Sequence, residues 1–288
     1  MSEKWLIFGG TGMLGSALVR ELNRFGLTVI TAARSNADYL IDMTDYKLIR
    51  SCLEEIKPNR VINCAAITNE RDCCKNPGFA RQLNSLSLEI LSTTCARIDA
   101  KLIQISTDAF YHRHYIENTE ANNDLKFPTI YSSTKYEAEQ FCSNKDLIIR
   151  TTFIGRNDRK SSLLDFFVRS LVSGTDISVY SDAITSSLDV RTCASLIVSM
   201  GQSEAAGIYN LGTAFPYSKA ELYYELMRLS NKGKIPKELR CAQAQEYKAN
   251  PSQGMNCKKI TDYLGCELPS LKSVITLLKT SGDLDDLL

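Results

Sequence analysis

The chain has 288 residues, 44% hydrophobic and 23% charged. That is an ordinary globular composition and excludes disorder, collagen-like repeats and coiled coil as its main state. Its 34 basic and 33 acidic side chains leave a net charge of +1, with neither the basic excess nor the basic block of a nucleic-acid binder.

Residues 5–8 are a short apolar run ending in glycines, which reads as a buried parallel strand. Leu14, Leu18 and Leu22 recur at helical spacing and predict a helix over 13–24, stopped by Gly26. A second strand follows at 27–32, a helix at 46–56 and a third strand at 60–63. A long helix is expected over 79–97, then a strand at 102–105, a helix at 134–144 and a strand at 147–150. This alternation predicts an α/β, Rossmann-like doubly wound parallel sheet.

Beyond about residue 155 the pattern loosens. A helix is expected at 163–172, a strand at 177–180, and a strand at 207–211 returning to the main sheet. Two or three helices should fill 213–288, with a frayed acidic tail from Gly282. Residues 1–155, with 183–212, are thus expected to form the Rossmann domain. Residues 156–182 and 213–288 would form a smaller C-terminal substrate-binding domain over the strand ends, where open α/β sheets bind ligands.

No apolar run approaches the roughly 18 residues of a membrane span. The opening MSEKWLIFGG lacks the apolar core and cleavage site of a signal peptide. The ten cysteines are scattered, without a C-x-x-C, so reduced thiols in a cytoplasmic protein are expected, with the neighbours Cys73 and Cys74 as redox candidates.

The first chemical motif runs Gly9-Gly10-Thr11-Gly12-Met13-Leu14-Gly15 between a predicted strand and a predicted helix. Glycines let the backbone turn tightly against a pyrophosphate, and the helix start offers free N–H groups to it. At the end of the second strand, where NAD-specific proteins usually carry an acid, stand Arg34 and Ser35. A guanidinium and a hydroxyl there suit a 2′-phosphate and favour NADPH, with NADH use still compatible.

Tyr131 and Lys135, four residues apart, share one helix face, and a nearby ammonium favours the phenolate. Among 13 tyrosines this is the one with lysine four residues on. Ser106, Thr107 and Asp108 end the fourth predicted strand, where hydroxyls can bond a substrate carbonyl. His112 and His114, the only 2 histidines, lack a third ligand at zinc-like spacing, so no metal site is expected. No G-x-S-x-G supports a hydrolase.

Together these residues resemble the extended short-chain dehydrogenase/reductase superfamily, and within it the dTDP-4-dehydrorhamnose reductase family. The likeness runs in order through LIFGGTGMLGSAL, LIDMTD, VINCAAITNERDCCKNPGFARQLN, LIQISTDAFYH, PTIYSSTKYEAE and IIRTTFIG. It continues more loosely through GIYNLG and NPSQGMNCKKITDYLG.

The resemblance implies an NADPH-dependent oxidoreductase that reduces the keto group of a nucleotide-linked 4-keto-6-deoxy sugar, as in rhamnose and polysaccharide biosynthesis. It implies Thr107, Tyr131 and Lys135 as the catalytic trio, Asp42 and Met43 on the adenine side, and Ala65, Ala66 and Ile67 along the cofactor. Asp108 and Phe153 would face the sugar. The chain departs from the family at Ala109–His112, at Phe153, where tryptophan is common, and at Cys74, where an acid is usual.

The regulatory subunit of methionine adenosyltransferase resembles the same family and retains a Y-x-x-x-K, which gives a competing non-catalytic, NADP-binding reading. Sugar-nucleotide dehydratases usually carry glutamate where Ala109 stands, and epimerases tend to be longer, so both are disfavoured. The partner implied is a nucleotide sugar, with no nucleic acid and no membrane. The oligomeric state, homo-oligomers included, is left open.

Overall fold

The structure, a computed structural model, describes residues 3–157, 160–241 and 251–288. Its elements run β1 (Lys4–Phe8), α1 (Met13–Arg24), β2 (Thr28–Ala33), β3 (Tyr39–Leu40), α2 (Tyr46–Ile56), β4 (Arg60–Asn63), α3 (Glu70–Lys75) and α4 (Pro77–Arg81). A π-helical turn, Gln82–Leu86, leads into α5 (Ser87–Arg97), β5 (Lys101–Thr107), α6 (Ile130–Glu139) and β6 (Leu147–Thr151). Then come β7 (Phe153–Ile154), α7 (Leu163–Ser173), β8 (Ser178–Tyr180), β9 (Ile184–Thr185), β10 (Leu188–Asp189), α8 (Val190–Gln202) and β11 (Gly207–Leu211). The chain ends with β12 (Tyr217–Ser218), α9 (Lys219–Ser230), β13 (Lys237–Leu239), α10 (Lys258–Leu264) and α11 (Leu271–Thr280).

The main sheet has seven strands in the order β11-β6-β5-β4-β1-β2-β3. β1 runs parallel to both β2 and β4, and β4 runs parallel to β5. This is the doubly wound α/β sheet expected from the alternation of elements. Strand order reverses between β1 and β4, so the ends of these strands mark the switch point where such sheets bind ligands. Trp5, Leu6, Ile7 and Phe8 are fully buried, as a central strand covered on both faces requires.

Three local differences from the sequence expectations matter. The helix expected over 79–97 is one helical run interrupted by the π turn. That turn carries the buried polar residues Asn84 and Ser85, and such widened turns reorient the side chains they hold. The helix expected at 134 starts at Ile130 instead, because Thr129 and Ser132 form a reciprocal capping box. Tyr131 therefore lies in its first turn and Lys135 one turn further on. Helices α3 and α8 were not expected. α8 packs so tightly that a Cβ on Gly201 would lie 2.8 Å from atoms of Trp5 and Ile103.

The chain divides into two compact units. One contains the chain up to Thr107, Phe127–Arg150 and Arg191–Tyr209. Its apolar core joins Leu6 and Phe8 to Ile49 and Leu53 of α2 and to Leu88 and Leu91 of α5.

The other contains Asp108–Lys126, Thr151–Val190 and Asn210–Leu288. It is built on two-stranded pairs, β7 with β10, β9 with β12 and β8 with β13. Phe167 of α7 meets Tyr223 of α9 edge-on at 5.3 Å. Asn118 donates to the Arg113 and Gly254 carbonyls, and Asn210 accepts from Tyr111 and donates to the Asn118 carbonyl. The tail is not frayed. Leu284 and Leu287 are fully buried, Asp286 pairs with Arg156 at 2.7 Å, and Lys232 bonds the Leu287 carbonyl. Two leucines in an acidic tail are enough to seat it.

No helix among the described residues is long and apolar enough to cross a membrane. All ten cysteines are free thiols.

Candidate active site

The glycine turn follows β1. Gly9 has φ +78°, and a Cβ there would sit 2.8 Å from the Ala65 nitrogen. A Cβ on Gly15 would lie 2.2 Å from the Gly9 carbonyl oxygen. These two positions admit only glycine, for left-handed backbone in the first case and for crowding in the second. Gly12, the N-cap of α1, is extended and offers no side-chain cap, and the first turn holds no acidic residue. Its N–H groups thus meet no protein anion from that turn. Thr11 and Gly12 are exposed, Met13 half-buried and Leu14 buried. This cradle fits the phosphates of a dinucleotide.

Arg34 and Ser35 follow β2 and are exposed. Asp42 accepts from the Thr44 backbone and hydroxyl, and these bonds, with Arg34 nearby, hold its carboxyl below the usual range. Met43 beside it is buried. Ala65, Ala66 and Ile67 follow β4 and are half-buried. Ile67 is gripped by Asn84, whose side chain accepts from the Ile67 N–H at 2.7 Å and donates to its carbonyl at 3.0 Å. The Asn84 amide also reaches the Thr134 hydroxyl on α6.

Thr107 ends β5 and is buried. Lys135, 3% exposed, donates from Nζ to the Ile105 carbonyl at 2.6 Å. Burial pulls its ammonium down from 10.5 to about 8, against the opposing pull of Glu139. One turn further along α6, Glu139 accepts from Ser106 and forms a buried ion pair with Arg150 at 2.7 Å. Tyr131 is half-buried, and its backbone N–H donates to Glu70 at 3.2 Å. The first unit thus carries Thr107, Tyr131 and Lys135, while Asp108, which is buried, and Phe153, which is half-buried, belong to the second.

Sequence reasoning missed Asn84 and Glu70 as supports of this region. Asn84 stood out no more than the other polar residues of the helical run 79–97. Glu70 gave none, since its partners lie 60 residues away.

Among the described residues no group of three or more His, Cys, Asp or Glu side chains is placed to hold a metal ion. His112 faces Asp124 at 3.3 Å, and Asp124 is also bound by Arg113. Cys73 is buried, and its thiol is pushed up to about 11 by burial and by Glu70, which leaves it protonated and unreactive at neutral pH.

The family described as RmlD substrate binding domain matches residues 3–280. The dTDP-4-dehydrorhamnose reductase of Escherichia coli K12 is 27% identical over 243 residues, covering 77% of this chain and 78% of that one. The same-named protein of Streptomyces griseus is 29% identical over 155 residues, and the match spans about half of each chain, 52% and 50%. A solved dTDP-4-dehydrorhamnose reductase from Bacillus anthracis, in complex with NADP, superposes with a TM-score of 0.84 at 24% identity, covering 98% of this chain and 99% of that one. With a family match that spans nearly its whole length, the chain belongs to the RmlD substrate binding domain family.

Proposed function

We propose that the protein is an NADPH-dependent oxidoreductase that reduces the keto group of a nucleotide-linked 4-keto-6-deoxy sugar. The observation that carries this reading is the setting of α6. It brings a tyrosine and a buried lysine one turn apart, with the lysine ammonium fixed to the Ile105 carbonyl on the strand that ends in Thr107. The names of the relatives, dTDP-4-dehydrorhamnose reductases, and of the NADP complex support the substrate class and the cofactor.

The nicotinamide, when bound, supplies the hydride. The glycine turn and the start of α1 hold the pyrophosphate, with Thr11, Met13 and Leu14 alongside. Arg34 and Ser35 take the 2′-phosphate, Asp42 and Met43 flank the adenine, and Ala65, Ala66 and Ile67 line the cofactor. Tyr131 gives its phenolic proton to the sugar O4 as negative charge develops there. Thr107 donates a hydrogen bond to the same oxygen. Lys135 holds the ribose hydroxyls, and its charge favours the phenolate left on Tyr131. Asp108 and Phe153 are the proposed sugar contacts.

The test is turnover of nucleotide-linked keto sugars by the wild type and by Tyr131→Phe. Equal turnover in the two would overturn the assignment.

A further inference from the structure

We propose that Glu70 is the positioning residue of Tyr131. Its carboxylate, carried on α3, clamps the first turn of α6 and so fixes where the tyrosine stands. The inference rests on the catalytic role proposed for Tyr131.

A helix start leaves its first N–H groups without partners inside the helix. In α6 the capping box serves Ser132, through the Thr129 hydroxyl. The two preceding N–H groups go to Glu70. Ile130 donates to Oε1 at 3.0 Å and Tyr131 to Oε2 at 3.2 Å. Each carboxylate oxygen thus holds one residue of the turn. Cys74, one turn along α3, donates its thiol to Oε1 at 3.3 Å and steadies the carboxylate from its own helix. Glu70 is also the first residue of α3, behind the Asn69 cap, and its charge meets the N-terminal end of α6, where an anion is favoured.

Further ties hold α6 beyond its first turn. Asn84 reaches Thr134, and Arg81 reaches Glu137. Lys135 has its own anchor on Ile105. Loss of Glu70 therefore takes the acceptor from the Ile130 and Tyr131 N–H groups and loosens the turn bearing Tyr131, while the anchors of the lysine and the glycine turn stay as they are. Terminal turns fray, and a misplacement of about 1 Å can cost about 10²-fold in rate.

The experiment uses the full chain with Glu70→Ala and Glu70→Asp, each alone and combined with Tyr131→Phe. Glu70→Ala should lower kcat by about tenfold or more with NADPH affinity unchanged. Glu70→Asp, which keeps both acceptor oxygens, should restore part of the loss. In the Tyr131→Phe background Glu70→Ala should add nothing, since residues acting through one another are not additive. Amide exchange at Ile130 and Tyr131 should speed up in Glu70→Ala. An equal loss in both backgrounds would overturn the proposal, because Glu70 would then act on the fold at large. Unchanged exchange at the two amides would overturn it whatever the activity. Normal turnover by Tyr131→Phe alone would sink the catalytic reading, and the exchange rates would then decide the clamp.

Discussion

The ammonium of Lys135 lies 2.6 Å from the carbonyl oxygen of Ile105, two residues before Thr107 on the same strand. That bond ties α6 to the end of β5, and it buries a cation. Gln104 donates to the same carbonyl at 2.7 Å, so the strand keeps its acceptor satisfied even without the lysine. The contact therefore fixes the ammonium in place without being a requirement of the strand.

Lys135 falls from 10.5 to about 8 on folding. Between those values the unfolded chain binds more protons at this site than the folded one, so stability rises with pH across the window and the lysine is a burden below it. Lys135→Met should stabilise the protein near pH 7 by up to about 3 kcal/mol and remove this pH dependence. Denaturant unfolding from pH 7 to 10 reads both. Wild-type kcat should decline above about pH 8 as the ammonium is lost.

Gly15→Ala would place a Cβ 2.2 Å from the Gly9 carbonyl oxygen, a backbone atom that cannot move without breaking the turn. It should abolish NADPH binding in a fluorescence titration and lower Tm. Gly26→Ala is the control. Its φ is +68° but nothing lies within 4 Å, so it should cost about 1 kcal/mol and leave NADPH affinity unchanged.

Arg150→Leu would strand the buried Glu139 carboxylate, now paired with Arg150 at 2.7 Å. Breaking such a pair costs about 3–5 kcal/mol, which a urea midpoint would show. A loss under about 1 kcal/mol would mean that the pair behaves as an exposed one.

Arg34→Asp should weaken the cofactor preference. Loss of a charge-assisted contact to the 2′-phosphate, about 1.5–3 kcal/mol, should cut the preference for NADPH over NADH by about tenfold or more. Unchanged discrimination would remove Arg34 from the cofactor site.

The parts of the fold and site legible in sequence are those set by near neighbours. β1 with its glycines, α1 with Leu14, Leu18 and Leu22, and the runs at 46–56 and 60–63 declare themselves by periodicity and punctuation. The start of α6 did not, because its cap pairs Thr129 with Ser132 rather than with glutamate or glutamine. The six residues of α3 are too few for a periodic signal. α8 escaped notice in a segment read only for its return to the sheet. The supports of the site were hidden for one shared reason. Glu70 to Ile130, Asn84 to Thr134 and Ser106 to Glu139 are contacts between residues far apart in the chain, and one sequence carries no signal for such pairs. The leucines that seat the tail, Leu284 and Leu287, were outweighed by the acids around them.

The proton-donor role of Tyr131 is tested by NADPH oxidation, followed by absorbance, with a panel of freshly prepared nucleotide-linked 4-keto-6-deoxy sugars, wild type against Tyr131→Phe. Turnover of at least one sugar is expected, reduced about 10²–10⁴-fold in the variant with NADPH binding intact. Turnover that survives in Tyr131→Phe, or NADPH binding by the wild type without turnover of any sugar in the panel, would contradict it.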